Sequence, residues 1–323
     1  MTDRPTIAIS IGDPQGIGPE ITRAALADPA VRAAARVLLF AHLSSSDSAH
    51  PQLEGEDIEF VSVSGDVERG GAPPTAWAGR ASFACVEAAI AAAKLDAGAP
   101  GHVDAIVTAP IAKEAWHLAG VPFPGHTELL AERFESPRSA MLFVGPRLKV
   151  ILATIHVALS RVPTLLTADK IFDCIELGAK ACRELGTPMP RVAVCGLNPH
   201  AGEHGMFGDE DARVIAPAIE RARAAGIDAT GPWPGDTIFL AAANGGYDLV
   251  VAMYHDQGLI PVKLLDQKFA VNVTVGLSWK GRRIIRTSPA HGTAFDIAGR
   301  GKADPSSMIS AILLAARMAG TRD

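Results

Sequence analysis

The sequence predicts an α/β fold for its 323 residues, and three observations support this. Short apolar runs rich in β-branched residues alternate with Ala-rich amphipathic stretches, as strands and helices alternate around a mainly parallel sheet. The runs are apolar at nearly every position, which is typical of strands buried on both faces. Hydrophobic residues make up 48% of the chain and charged residues 20%, a composition typical of a compact globular protein. The length suffices for two lobes.

The predicted elements follow one another in a regular order. The strands have the sequences TIAISIG, RVLLFA, VDAIVTAP, KVILATIH, RVAVCGLNP and DLVVAMYH. The helices lie in the stretches PEITRAALADPAVRAAA, ASFACVEAAIAAAKLDAG, KIFDCIELGAKACRELG and EDARVIAPAIERARAAG. Residues 42–57 are polar and rich in turn-forming residues, so we expect a surface loop there.

Composition excludes several classes of function. The net charge is −5 and the basic residues are scattered, so no block is available to neutralise a nucleic-acid backbone. The amino terminus lacks the basic head and long apolar core of a signal peptide. No uncharged apolar run approaches the roughly 18 residues that cross a bilayer. We therefore expect a cytoplasmic protein with a small-molecule substrate, without nucleic acid or membrane as partner. The cysteines form no C-x-x-C pair and are predicted to be small buried hydrophobes in a reducing compartment: Cys85, Cys174, Cys182 and Cys195.

Three predicted strands end on a histidine or reach one within a short turn. These residues are His156 in ILATIHVAL, His200 in GLNPHAGEHG and His255 in AMYHDQG. The carboxyl ends of parallel strands form the ligand crevice of α/β sheets, and neutral imidazole is a good ligand for divalent metals. The intervals between the histidines are too long for a local metal motif. The residues alone therefore leave two interpretations open, a shared metal site or three separate hydrogen-bonded loop histidines.

The residues that follow His255 carry further polar groups. Asp256 could be a second ligand, or it could orient the His255 ring. Lys263 in IPVK could project into the same crevice and bind an anionic substrate group, although a solvated lysine is the alternative. No general base is identified securely. Asp236 in PGDT and Asp256 are the candidates.

Two segments precede predicted helices. In FPGHTELLAERF, Thr127 is expected to cap the helix amino terminus, which could also bind an anion. In IGDPQGIGPEIT, the glycines Gly12, Gly16 and Gly18 suggest a phosphate loop, but the pattern is neither G-x-G-x-x-G nor a Walker A. A tight turn before a helix explains this second segment adequately.

Residues 288–305, SPAHGTAFDIAGRGKADP, resemble the adenosine-binding segment of the β-decarboxylating dehydrogenases. That group, which includes isopropylmalate and isocitrate dehydrogenases, binds NAD(P) without a Rossmann fingerprint. The resemblance implies a cofactor site at His291, Gly292, Thr293 and Asp296. The sequence does not decide between NAD and NADP.

A wider set of motifs resembles the 4-hydroxythreonine-4-phosphate dehydrogenase (PdxA) family nearly end to end. The motifs are GDPQGIGPE, TAPIAK, GVPFPGHTE, CGLNPHAGE, GPWPGDTIF, AMYHDQGLIPVK, VNVTVGL, IRTS and HGTAFDIAGRGKAD. The resemblance implies one divalent metal (Zn, Co, Mn or Mg) on His156, His200 and His255, at a site shared across a homodimer. The implied substrate residues are His126, Thr127, Lys263, Asn272 and Arg286.

The same resemblance implies an isocitrate/isopropylmalate-dehydrogenase-like fold with two lobes and a cleft between them. Residues 1–120 with 288–323 are expected to form the cofactor-side lobe, and residues 121–287 the metal, substrate and dimerisation lobe. The implied reaction is NAD(P)-linked oxidation of a phosphorylated hydroxy acid followed by decarboxylation, as in pyridoxine biosynthesis. The expected substrate is 4-phosphohydroxy-L-threonine or a 4-phosphorylated threonate or erythronate. Two alternatives stay open, a terephthalate cis-dihydrodiol dehydrogenase of the same family and a non-catalytic metal- or nucleotide-binding scaffold.

One segment departs from the family pattern. The family runs from VNVT-GLP almost directly into IIRTS, whereas this chain has the extra residues WKGRR at 279–283. We expect a hairpin tip there, with Gly281 in the turn. It is either an exposed loop or part of a remodelled substrate pocket that changes the role of Arg286.

Overall fold

The computed structural model describes residues 4–42, 57–63 and 71–320. Apart from its two end residues, the loop expected at 42–57 lies outside the described residues. The chain divides into two compact units, here called the outer unit (Met1–Pro137 with Leu277–Asp323) and the inner unit (Arg138–Gly276). The roles expected for two lobes, one for the cofactor and one for metal and substrate, stay predictions.

The described elements are numbered here in chain order. The strands are β1 (Thr6–Ser10), β2 (Arg36–His42), β3 (Ile58–Val63), β4 (Ala105–Thr108), β5 (Ala140–Val144), β6 (Lys149–Leu152), β7 (Val192–Cys195), β8 (Ala229–Trp233), β9 (Leu249–Ala252), β10 (Val271–Val275), β11 (Ser278–Trp279), β12 (Arg282–Arg283) and β13 (Ile285–Pro289). The α-helices are α1 (Gly18–Ala27), α2 (Pro29–Ala34), α3 (Ala76–Lys94), α4 (Lys113–Leu118), α5 (His126–Arg133), α6 (Val162–Leu165), α7 (Ala168–Glu184), α8 (Ala216–Ala224), α9 (Ile238–Ala243), α10 (His255–Asp266) and α11 (Ser306–Gly320). All six strands predicted from the sequence are present.

The outer unit contains a parallel sheet in the order β3-β2-β1-β4-β13. Its strands are covered on their faces by helices that include α3 and α11, so Ile7, Ile9 and Ile106 are fully buried. The Ala-rich stretch after β1 forms two helices rather than one. The break lies at Asp28, which has an extended backbone and caps α2 by accepting a hydrogen bond of 2.7 Å from the Ala30 N–H. Pro29 begins α2, a position at which its missing N–H costs nothing.

The inner unit contains strands in the order β10-β5-β6-β9-β7-β8. β6, β9, β7 and β8 run parallel to one another, whereas β10 and β5 are antiparallel to their neighbours. The carboxyl ends of β6, β9 and β7 therefore lie side by side at one edge of the sheet. This is the edge at which open α/β sheets place their ligands.

The extra residues at 279–283 form the predicted hairpin. β11 and β12 pair antiparallel, with Lys280 and Gly281 both at positive φ in the two-residue turn. Arg282 donates hydrogen bonds to the carbonyl oxygens of Ala93 and Leu95 at the end of α3, and Arg283 donates one of 2.8 Å to Met318 in α11. The arginines thus bind helix carboxyl ends, where cations are favourable. The hairpin precedes β13, so it lies at the amino-terminal edge of the parallel sheet.

Two expectations about the chain as a whole can be compared with the described residues. None of the described helices combines the length and the apolarity needed to span a bilayer. All four cysteines are buried and free, as predicted. Burial raises the pKa of the Cys85 and Cys174 thiols to about 12, so these thiols stay protonated and unreactive at neutral pH.

Candidate active site

The inner unit brings the three predicted metal ligands to one edge of its sheet. His156, His200 and His255 follow the carboxyl ends of β6, β7 and β9 within short turns. These three strands are neighbours, with β9 in the middle. His156 and His200 are exposed to solvent, and His255 is half-buried. The sheet topology therefore gathers histidines that are distant in the sequence.

His156 and His255 lie next to each other. Their ring centroids are 5.5 Å apart. Two imidazoles on one tetrahedral zinc, with Zn–N bonds of about 2.0–2.1 Å, have centroids about 5 Å apart, so the pair fits a shared divalent ion. Asp256 lies 2.7 Å from His255 Nδ1. Asp256 therefore orients the His255 ring and leaves Nε2 available as a ligand.

His200 lies in an unusual backbone segment. Residues 200–204 all have positive φ, so they form a left-handed helical turn. Such a conformation costs on the order of 1–3 kcal/mol for each residue other than glycine. Asp211 holds the start of this turn: its carboxylate accepts hydrogen bonds of 2.8 and 3.1 Å from the N–H groups of Leu197 and Asn198. Maintained strain of this kind is found most often at functional sites.

Within the described ranges, no three His, Cys, Asp or Glu side chains are grouped closely enough to hold a metal ion. The chain by itself thus pairs His156 with His255 but does not add His200 to that pair. A complete three-histidine site is consequently an expectation from the family resemblance and not a property of the single chain.

Gln257 has a structural role that its sequence pattern did not predict. Its Oε1 accepts a hydrogen bond of 2.7 Å from the Met253 N–H, and its Nε2 donates one of 2.8 Å to the Gly196 carbonyl. It therefore links the carboxyl end of β9 to that of β7. The next residue, Gly258, lets α10 lie close to β6, because a Cβ at this position would come within 2.6 Å of Leu152 Cδ2. In HDQG, the three residues after the histidine thus each have an identifiable structural role.

The remaining predicted residues of the inner unit are more dispersed. Lys263 is exposed on α10, eight residues after His255, which corresponds to about 12 Å along a helix axis. The two residues thus lie about two turns apart on one helix, and the crevice that they were expected to share stays a prediction. Asp236 is exposed in the turn before α9. Asn272 lies on β10, where its Oδ1 is buried and has no hydrogen-bond partner among the described residues.

The outer unit holds a second group of predicted residues, centred on Arg286 in β13. Arg286 is only 2% exposed and donates a hydrogen bond of 2.6 Å to Thr108 Oγ1. Burial lowers the pKa of Arg286 to about 10, although the charge of Glu128 opposes this shift. The guanidinium therefore stays charged at neutral pH in a site with little water, where its interaction with an anionic group would be strong.

His126 is the first residue of α5. Its Nε2 is buried and has no hydrogen-bond partner in the part of the chain that the structure describes. Burial lowers the pKa of His126 well below 6.5, and the positive charges of Arg286 and Lys113 lower it further. The imidazole is therefore neutral at pH 7. Its ring stands edge-on to the buried ring of Trp116, with the centroids 5.4 Å apart.

Lys113 and Glu128, neither of which was predicted from the sequence as a site residue, also belong to this group. Lys113 begins α4 and is exposed. Its Cε lies 3.4 Å from the point where a Cβ on Gly125 would stand, and Glu128 Oε2 lies 3.5 Å from the same point. Lys113 ends the motif TAPIAK, which follows β4 directly. Its place after a strand end was the signal that could have identified it.

The expected capping role of Thr127 is wrong. The cap of α5 is Gly125, which has no side chain to bond the free N–H groups, and Thr127 is the second helical residue. A threonine at that position is inside the first turn, beyond the place from which a cap bond is made. Thr127 stays a predicted substrate residue and is half-buried.

The segment expected to bind the nucleotide lies against the start of α1. The Ile17 N–H donates a hydrogen bond of 2.9 Å to the Thr293 carbonyl. Gly16 has no room for a side chain, because a Cβ there would come within 3.0 Å of Thr293. His291, Gly292 and Asp296 are exposed. The GDPQGIGPE turn therefore supports this segment.

Two comparisons with sequences of known proteins agree. The family described as "Pyridoxal phosphate biosynthetic protein PdxA" matches residues 20–315. The chain is 44% identical to 4-hydroxythreonine-4-phosphate dehydrogenase of Desulforapulum autotrophicum, covering 99% of this chain and 97% of that protein. It is 43% identical to D-threonate 4-phosphate dehydrogenase of Salmonella typhimurium, covering 97% of this chain and 99% of that protein.

Solved structures show the same likeness. The chain matches 4-hydroxythreonine-4-phosphate dehydrogenase from Klebsiella pneumoniae with a TM-score of 0.81 and 40% identity, covering 99% of each chain. A terephthalate 1,2-cis-dihydrodiol dehydrogenase from Burkholderia xenovorans matches with a TM-score of 0.66 and 30% identity, covering 97% of this chain and 98% of that one. The predicted fold class is confirmed. The chain is an oxidoreductase that acts on a CH–OH group, and it belongs to the PdxA family.

Proposed function

We propose that this protein is a metal-dependent, NAD(P)-linked dehydrogenase that oxidises a phosphorylated hydroxy acid, whose keto acid product then loses CO2. The observation that carries the proposal is the buried Arg286, with the neutral His126 and the cationic Lys113 near it. A desolvated guanidinium is a strong receptor for a phosphate or carboxylate group. The names of the relatives with 44% and 43% identity both specify a 4-phosphorylated substrate.

The residues of the outer unit would bind the anionic end of the substrate. Arg286 presents a fork of donors that matches two phosphate oxygens. His126 stays neutral at pH 7 because of its lowered pKa, so it can donate or accept a hydrogen bond without adding a charge. Lys113 adds a mobile cation at the exposed side. The other proposed substrate residues are Thr127 in the same unit and Lys263 and Asn272 in the inner unit.

We propose that residues of the inner unit bind a divalent metal such as Zn, Co, Mn or Mg. His156 and His255 would hold it, with Asp256 orienting His255, and His200 is the third proposed ligand. When bound, such an ion would supply Lewis-acid polarisation of the substrate hydroxyl. Because Asp256 already bonds His255, Asp236 is the better candidate for a general base that removes the hydroxyl proton.

The chemistry requires a hydride to leave the carbon that bears the hydroxyl group, with NAD(P)+ as the acceptor. The β-keto acid that remains can release CO2, because its carbonyl accepts the electrons of the breaking C–C bond. His291, Gly292, Thr293 and Asp296 are the proposed nucleotide contacts. Their support is the exposed, irregular segment that joins β13 to α11.

We further propose that the protein acts as a homodimer with a shared metal site. Ile260 and Leu264 on α10 are 66% and 81% exposed. They lie one turn apart on the helix that begins with His255, so they form an apolar stripe that a second copy would cover. The buried free cysteines support a reducing compartment such as the cytoplasm.

Of the two alternatives, a cis-dihydrodiol substrate has specific support from the structural likeness at 30% identity. The two carboxylates of such a substrate could use the same cations. A non-catalytic scaffold would have no need for a buried arginine and a histidine pair together, so the arrangement favours an enzyme.

The proposal is tested by measuring NAD(P)H production by the metal-loaded protein with 4-phosphohydroxy-L-threonine, 4-phospho-D-threonate, 4-phospho-D-erythronate and a terephthalate cis-dihydrodiol. We expect turnover of a phosphorylated acid that disappears in His255→Ala and persists in His117→Ala, an exposed histidine outside the proposed metal set. Turnover of the dihydrodiol alone would favour the alternative substrate. Absence of turnover with all four, in protein that binds metal and nucleotide, would contradict the proposal.

A further inference from the structure

The connection between β13 and α11 has no regular secondary structure, and it presents charged residues to solvent. Arg300 and Lys302 are both exposed. Gly299 and Gly301 alternate with them and have φ values of 71° and 66°, a conformation that glycine adopts without strain. A glycine-rich turn of this kind is conformationally free in the absence of other contacts. Something in the fold must therefore hold it in one shape.

Glu20, in the first turn of α1, makes these contacts. Its Oε2 accepts a hydrogen bond of 3.1 Å from the Gly299 N–H, and its Oε1 accepts one of 2.9 Å from the Ala303 N–H. Both carboxylate oxygens are thus bonded to backbone groups on either side of Arg300–Lys302. Hydrogen bonds from N–H groups to a carboxylate are stronger than those between neutral groups. The single side chain of Glu20 spans the turn.

A second contact fixes the other end of the segment. The Ile17 N–H bonds the Thr293 carbonyl at 2.9 Å, so α1 holds the segment at Thr293, Gly299 and Ala303. An acidic residue in a first helical turn is also favourable to the helix itself. This favourable effect on the helix requires only the negative charge of Glu20. It does not require the two hydrogen bonds that Glu20 accepts from a segment more than 270 positions away in the sequence.

We propose that Glu20 is a positioning residue for nucleotide binding: it holds the turn at residues 299–303 in the shape that binds the NAD(P) cofactor. This inference rests on the proposed function, because it takes the segment at residues 291–303 as the nucleotide site. Glu20 itself need not contact the nucleotide. Its effect is to keep the Arg300 and Lys302 backbone in place before the nucleotide arrives, so that binding does not have to order the turn.

Glu20→Gln is the informative variant because it keeps the size of the side chain. One carboxylate oxygen becomes an NH2 group, which is a donor and would face a backbone N–H donor. At least one of the two bonds is therefore lost. Glu20→Asp retains both acceptors on a shorter side chain and is the conservative variant. Glu220→Gln is the matched control, since Glu220 is exposed on α8, in the other unit.

The first measurement is a direct titration of the full-length protein with NADH and with NADPH in the absence of substrate. Binding is monitored by the fluorescence of the nucleotide. We expect Glu20→Gln to weaken binding of the preferred nucleotide by at least about fivefold. Glu20→Asp should recover part of the loss, and Glu220→Gln should match the unsubstituted protein. Hydrogen exchange should accelerate in the peptide that covers residues 295–304, and binding of inorganic phosphate should be unchanged.

The outcomes separate this inference from the proposed function. If the unsubstituted protein binds neither nucleotide, the proposed function fails and the inference fails with it. If that protein binds a nucleotide and Glu20→Gln binds it equally well, the inference alone is wrong, whether or not exchange accelerates. If Glu20→Gln loses nucleotide and phosphate binding together, the substitution acts on the whole unit, and the positioning role is also wrong.

Discussion

The two units present their polar residues in opposite ways. In the outer unit, Arg286 is nearly inaccessible to water, and burial has already lowered its pKa and that of His126. In the inner unit, His156 and His200 are exposed at strand ends. The buried group is organised before any ligand binds. The exposed group would provide ligand atoms to the proposed metal, and its final arrangement would then depend on that ion or on a second copy. The difference predicts distinct responses to substitution.

The largest expected effect is on the buried group. Arg286→Gln should lower kcat/KM for the phosphorylated substrate by about 100-fold or more, because a charged, bidentate contact is replaced by a neutral amide. Steady-state kinetics with each substrate concentration varied would measure it. Metal affinity should not change.

Arg282→Gln is the matched control for Arg286→Gln. Arg282 is bound to the end of α3 in the hairpin, so we expect KM to stay within about twofold, even if stability decreases slightly. A large rise in KM for Arg282→Gln would instead support the view that residues 279–283 remodel the substrate pocket.

Substitution of Gln257 tests how the exposed histidines of the inner unit are positioned. Gln257→Leu removes both bonds that join the ends of β9 and β7, and it should weaken metal affinity by about 10- to 100-fold, as other substitutions that disorient ligands do. Competition with a chromogenic chelator would measure this loss. Phosphate binding to the other unit should persist. Unchanged metal affinity would show that the strand ends hold their positions without this link.

A smaller effect is expected when Lys113 is substituted, and it concerns the pKa of His126. Its positive charge disfavours the imidazolium form of His126, so Lys113→Met should raise the pKa of His126. The pKa should nevertheless stay below 6.5, because burial is the larger cause. An NMR titration, assigned with His126→Asn, would follow it. We also expect KM for the phosphorylated substrate to rise by about three- to tenfold. A lowered His126 pKa would contradict the geometry.

The smallest expected effect is on the pH dependence of folding stability. The pKa of His126 is lower in the folded chain than the ordinary value of 6.5, so the unfolded chain binds a proton first as the pH falls. Folding stability should therefore decrease as the pH falls below 6.5. Chemical denaturation of His126→Gln at pH 7.5 and 5.5 should show a smaller decrease than the unsubstituted protein. An equal decrease would assign the pH dependence to other groups.

Much of this arrangement could be predicted from the sequence because it follows from local patterns. Buried parallel strands are recognisable as continuous apolar runs, and a histidine after such a run must lie at the ligand edge of the sheet. The hairpin at 279–283 was likewise predicted from Gly281. Both inferences depend on residues that are close together in the chain.

The contacts that tertiary structure creates could not be predicted in this way. Gln257 bonds the carbonyl of Gly196, and Lys113 lies close to a helix that begins at His126. Thr127 was wrongly assigned as a cap because the helix begins two residues earlier than its pattern suggested, with Gly125 as the cap. The left-handed turn at residues 200–204 has no signature in its sequence, since only one of its five residues, Gly202, is a glycine.

Because Trp116 contacts His126 edge-on, the fluorescence of its indole should respond to changes at the His126 ring. Trp116 is fully buried, and its indole N–H donates a hydrogen bond of 3.0 Å to Ser82, so its ring is held still beside the imidazole. An anion that reaches His126 changes the electric field at that ring. The emission of Trp116 should therefore shift in colour or brightness when the proposed anionic substrate group binds at His126, and so report its binding without any added dye.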